Sequence, residues 1–149
     1  MSFSLDPAGL DAFLKKHGLE PQIEAESGQL YISRVHEGQE IYTFMTIAHA
    51  ATLFQIMTYF PIALQKTSLN DTARLLHLFN RDVDMPGFCI DEKLGLIFYR
   101  SVLPSFNKTL EERVVMTYLG AHKGILETFF TPVVSVVLGQ LKVEDVLKS

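Results

Sequence analysis

One cysteine, Cys89, is all the sulfhydryl chemistry the sequence contains. A lone thiol closes no internal disulfide, so nothing points to an oxidising compartment, and a reducing cytoplasm is the expectation. Basic residues are scarce before Ile41, where Asp6, Asp11, Glu20, Glu24, Glu26, Glu37 and Glu40 face only Lys15, Lys16 and Arg34. Such a surface repels a phosphate backbone and disfavours direct nucleic-acid binding. No uninterrupted apolar run is present: IAHAATLFQIMTYFPIAL is broken by His49, Gln55, Thr58 and Pro61, whereas a membrane-spanning helix needs about 20 predominantly apolar residues. The opening MSFSLDPAGLDAF carries acid where a signal peptide carries base, so no secretory leader is expected.

The short motifs of nucleotide and hydrolase chemistry are missing too. GxxxxGK[ST], GxGxxG and GxSxG do not occur, and no two of His17, His36, His49, His77 and His122 have the HExxH spacing. Asp82, Asp84, Gly87 and Asp91 resemble part of a calcium loop. Counting from Asp82, however, puts Pro86 at the fifth position and Lys93 at the twelfth, and neither has a side-chain oxygen. Cys89 falls inside an alternating strand pattern, the setting of a buried, inert thiol. No catalytic residue, metal ligand or cofactor is therefore expected.

What the chain does have is apolar material, 48% of 149 residues. That suffices for a substantial core in one domain over 1–149, since a chain of this size buries roughly 68–70% of its unfolded surface. Asp6, Pro7 and Gly18 bracket a first helix with Leu10, Phe13 and Leu14 on one face. Alternation then predicts strands through Leu30, Ile32 and Val35 and through EIYTFMTIA, joined by HEGQ. The second strand is apolar on both sides, so both are expected to be covered. LFQIMTYF also fits a helix, but Ile56, Thr58, Tyr59 and Phe60 ahead of Pro61 favour a third strand.

SLNDTARLLHLFNRD predicts a helix presenting Leu75, Leu76 and Phe79. FCID and LIFYRSVL, joined across EKLG, predict a hairpin. Thr109 and Glu112 have capping-box spacing before a long helix through Val115, Leu119, His122, Leu126 and Phe129, which Pro132 should kink or end. The expected class is α+β: helix, three-stranded antiparallel meander, helix, β-hairpin, long C-terminal helix.

That element order is similar to class I type III secretion chaperones, and TARLLHLFNR followed by FCIDEKLGLIFYRSVLP resembles the YbjN family. The distinctive positions are Asn80, Asp91 and Glu92, Gly95, and Leu103 with Pro104. The resemblance implies a non-enzymatic, cytoplasmic, homodimeric binding protein that holds an extended segment of a secretion substrate. The alternative is a YbjN-like regulatory adaptor that binds a folded partner of the transcription or signalling machinery. On this reading exposed members of Tyr42, Phe44, Phe54 and Ile56 form the peptide site, while Leu75, Phe79, Phe98 and Arg100 contribute to the dimer interface. An arginine on a strand can pair across an interface, or lay its stem over apolar surface and reach water.

Overall fold

The computed structural model describes residues 1–148. Alternation in the middle of the chain produces one six-stranded antiparallel sheet, β2-β3-β4-β5-β7-β6, from β2 (Gln22–Ile23), β3 (Leu30–His36), β4 (Gln39–Ala48), β5 (Leu53–Tyr59), β6 (Phe88–Asp91) and β7 (Leu96–Pro104). A small ribbon pairs β1 (Ser2–Ser4) with β8 (Thr109–Glu111). The helices are α1 (Pro7–Lys16), α2 (Leu69–Asp82), α3 (Glu112–Val137) and α4 (Val143–Leu147). The expected α+β class and the long C-terminal helix are both present.

Local chemistry sets the element boundaries. Asp6 caps α1 by accepting from the Gly9 N–H at 2.7 Å, with Pro7 in the first turn. Glu37 (φ 49) and Gly38 (φ 77) make the left-handed two-residue turn between β3 and β4. Asp91 closes the β6–β7 turn by accepting from the Leu94 N–H at 3.0 Å. Asn80 binds both backbone groups of Phe88, donating to its carbonyl at 3.0 Å and accepting from its N–H at 2.7 Å. It thereby ties α2 to the first residue of β6.

Helices cover one face of the sheet. Leu10, Phe13 and Leu14 of α1 pack with Leu30, Ile32, Met45, Phe54 and Ile56, under Val115 and Leu119 of α3. Leu75 and Leu76 of α2 pack with Ile41, Phe88, Ile97 and Tyr99, under Leu126, Phe130 and Val133. α3 spans both clusters.

Three expectations are corrected. β4 is covered on one side only, because every helix that packs on the sheet does so from the Ile41 and Met45 side. Thr109 belongs to β8 and its hydroxyl donates to the Phe106 carbonyl, so it does not cap α3, which starts at Glu112. Pro132 does not end the helix, which continues to Val137. Proline removes one N–H there, but Phe130, Val133, Val136 and Val137 are buried on both sides of it and hold the last turns in place.

The β4–β5 turn is unusual, since His49 (φ 52), Ala50 (φ 54) and Ala51 (φ 63) are all left-handed and none is glycine. Each such residue costs about 1–2 kcal/mol, of which glycine's extra chain entropy would offset part. Ala50 is exposed, so Ala50→Gly should raise the unfolding free energy by about 0.5–1 kcal/mol in a urea titration. Equal or lower stability would contradict the assigned backbone.

Candidate functional site

The face of the sheet opposite the helices is not polar. The outward alternation places Tyr31 on β3, Tyr42 and Phe44 on β4, Met57 and Tyr59 on β5, and Phe98 and Arg100 on β7. Five aromatic rings form an unbroken row across four strands. Tyr31 meets Tyr42 at 5.7 Å and Phe44 at 5.1 Å; Phe44 meets Tyr59 edge-on at 5.8 Å; Tyr59 meets Phe98 at 5.6 Å. Glu24, Ser27 and Gln29 of the β2–β3 connection border a shallow hollow of about 310 Å³ against Phe44 and Tyr59, the middle rings of the row.

Few charges reach this face. Arg100 is exposed in its middle, opposite Met57, and donates from Nε to the Gln55 side chain at 3.1 Å. Glu40 lies beside Tyr42 and raises its phenol above the ordinary value by hydrogen bonding. Burial raises the Tyr59 phenol, with Asp91 adding to the effect. Both phenols therefore stay neutral and act as amphipathic contact surface. Cys89 pairs with Phe98 on this same face, not in the core, and burial pushes its thiol up while Arg100 partly opposes.

The expected site residues divide between the two faces. Tyr42 and Phe44 stand on the open face, as do Phe98 and Arg100, so residues assigned to a peptide site and to a dimer interface lie on one continuous surface. Phe54 and Ile56 are displaced from any such site. Alternation on β5 turns them under α1 and α3, where both are fully buried. Leu75 is likewise fully buried between α2 and the sheet, and Phe79 packs on Phe88 and Phe129 within the helical layer. None of these four is presented to a partner by the open face.

Beneath the sheet runs a buried polar chain. Thr43 Oγ1 and Thr58 Oγ1 are 2.8 Å apart, Thr58 Oγ1 lies 2.9 Å from His122 Nδ1, and His122 Nε2 lies 3.0 Å from Ser101 Oγ. The Ser101–His122 distance suits a nucleophile and its base. Yet the two residues are only 7% and 2% exposed, and burial, reinforced by Arg34, lowers the imidazole to about 4. With both ring nitrogens occupied by hydroxyls inside the core, this is a satisfied hydrogen-bond chain rather than a reacting pair.

Among the described residues no helix is long and apolar enough to cross a membrane. No curated protein matches the chain. Of solved structures, YbjN from E. coli, titled "a putative transcription regulator", superposes with a TM-score of 0.62 at 9% identity, covering 92% of each chain. That likeness is one of fold. The sequence model of a family described as "Putative bacterial sensory transduction regulator" matches residues 6–134, and the chain belongs to this family, YbjN.

Proposed function

We propose that this chain is a non-enzymatic regulatory protein of the cytoplasm that acts by binding a folded protein through the open face of its sheet. The observation behind this reading is the composition of that face. Tyrosine, phenylalanine, methionine and a single arginine are the residues enriched at the centres of protein interfaces, where lysine and carboxylates are depleted. An antiparallel sheet with one face in water normally alternates apolar with polar. Here the outer face is aromatic, as if a second layer were meant to cover it.

Breadth favours a folded partner over an extended secretion substrate. The row crosses four strands, roughly 14–15 Å at the usual strand spacing, wider than one extended chain. Its regulatory family and the regulator named in the E. coli title fit the adaptor reading better than the chaperone one.

The test is affinity capture with immobilised protein, followed by titration of the identified partner. Phe44→Asp should weaken binding by at least about tenfold while the circular dichroism spectrum stays native, because Phe44 lies on the open face outside both core clusters. Val114→Asp, on an exposed position of α3, should leave binding unchanged. A partner held equally by wild type and Phe44→Asp refutes the reading. A stable dimer seen by light scattering and dissolved by Phe44→Asp would make a second copy the occupant, and so also refute it.

A further inference from the structure

β2 contributes only two residues to the sheet, pairing Gln22 with Tyr31 and Ile23 with Leu30. Beyond them, among the described residues, no strand pairs with the outer side of β3 from Ile32 to His36. The hairpin geometry says which backbone groups are left over. His36 and Gln39 flank a two-residue turn and so exchange hydrogen bonds, and the antiparallel alternation then directs Arg34 and Ile32 toward β4. Ser33 and Val35 turn their N–H and C=O outward. The Gln29 carbonyl, in the same phase, accepts from the Glu24 N–H at 2.9 Å on that outer side.

A groove of about 540 Å³ opens along this edge, between β3 and α3, bordered by Leu19, Gln22, Arg34, Lys123 and Glu127. Arg34 is its distinguishing group. Its side chain lies on the covered face of β3, and the guanidinium enters no hydrogen bond or ion pair among the described residues. Burial depresses its pKa, which Glu127 opposes only at longer range. Five donors held partly out of water without an acceptor favour an incoming carboxylate, which can meet the guanidinium with two parallel hydrogen bonds.

We propose that the free edge of β3 is a second binding site, taking an extended peptide that adds as a strand against Ile32–His36 and sets an acidic side chain on Arg34 in the groove. The unpaired Ser33 and Val35 backbone supplies affinity that ignores sequence, and Arg34 supplies the preference. A second copy of this chain is the poorer occupant. Symmetric antiparallel pairing of all five free residues puts Arg34 opposite its own copy, and like charges directly opposite are destabilising. The site shares no residue with the aromatic row, so it stands or falls independently of the partner proposed above.

Fluorescence anisotropy with a labelled synthetic peptide of about six residues, alternating threonine and valine around a central glutamate, tests this directly. The glutamate peptide should bind at least about tenfold more tightly than its lysine counterpart, and Arg34→Gln should erase that difference with the fold intact by circular dichroism. N-methylation of alternate probe amides should abolish binding without touching the protein. Phe44→Asp should leave peptide binding unchanged, which separates this site from the open face. No binding at millimolar protein, equal binding of the two peptides, or indifference to N-methylation would each overturn the proposal. So would self-association that the probe competes away, since that assigns the edge to a second copy.

Discussion

Acidification should weaken the fold by about 3 kcal/mol between pH 6.5 and about 4, with His122 as the principal cause. In the unfolded chain the imidazole is solvated and takes a proton below its ordinary value of 6.5, whereas in the core it stays neutral down to about 4. Unfolding in that window takes up a proton, so stability rises with pH there and is lost as pH falls. At about 1.4 kcal/mol per pH unit, the gap gives the magnitude stated. Its origin is desolvation first, with the Arg34 guanidinium adding repulsion. Carboxylates held low by cationic neighbours, such as Glu112 beside Lys16 and His17, lose their contribution only as the pH falls further.

The variant series isolates the residue. His122→Ala should lower stability by about 3–5 kcal/mol at neutral pH, since it opens a cavity and leaves Ser101 without its hydrogen-bond partner. Replacing three of the four members, with His122→Leu, Thr58→Val and Ser101→Ala, should recover part of that loss, because only the Thr43 hydroxyl then loses its partner. The triple variant should also have a flatter stability profile from pH 4 to 6.5 than wild type. Urea unfolding across this range checks both. A wild-type curve as flat as that of the triple variant would remove His122 as the source.

Much of this architecture is legible in the residues themselves. Period-two alternation locates β3, β4, β5 and the β6–β7 hairpin, and the β-branched Ile56 and Thr58 with the aromatic Tyr59 and Phe60 ahead of Pro61 favour reading β5 as strand over helix. What alternation cannot say is which side receives helices. On β4 both sides are apolar, Ile41 and Met45 on one and Tyr42 and Phe44 on the other. Covering both is the natural inference from composition, but all three large helices land on one side. The same ambiguity placed Phe54 and Ile56 beside Tyr42 and Phe44 as partner contacts, although on β5 they have the phase that points to the core. The register pairs Phe44 with Met57 and Met45 with Ile56, and register between strands is a tertiary property that one strand's pattern does not contain. The His122 chain was beyond reach for a similar reason, as it joins β4, β5, β7 and α3 across as many as 64 sequence positions in a single bond.

Gly9→Ala should destabilise the protein by about 2–3 kcal/mol, against the direction that helix propensity predicts. Gly9 lies in the first turns of α1, where alanine is ordinarily favoured over glycine by about 1 kcal/mol. Here β1 leads directly into the Asp6 cap and brings the Ser4 carbonyl against the helix. A Cβ on residue 9 would stand 2.2 Å from that oxygen, and within 3.2 Å of the Asp6 carboxylate that caps the helix. Both obstacles are fixed, one by backbone and the other by its bond to the Gly9 N–H, so the methyl group can be admitted only by shifting β1 off the helix. β1 holds β8 and thereby the start of α3, while Leu5 and Leu10 beside it are buried in the core under α1. The displacement should therefore be felt beyond α1, with amide exchange accelerating along Phe3–Leu110 as well as within the helix. Ala8→Gly, one residue earlier at an exposed position, provides the control and should cost no more than about 1 kcal/mol. If Gly9→Ala instead melts at or above wild type, the close approach of β1 to α1 is wrong, and with it the docking that positions α3 over the sheet.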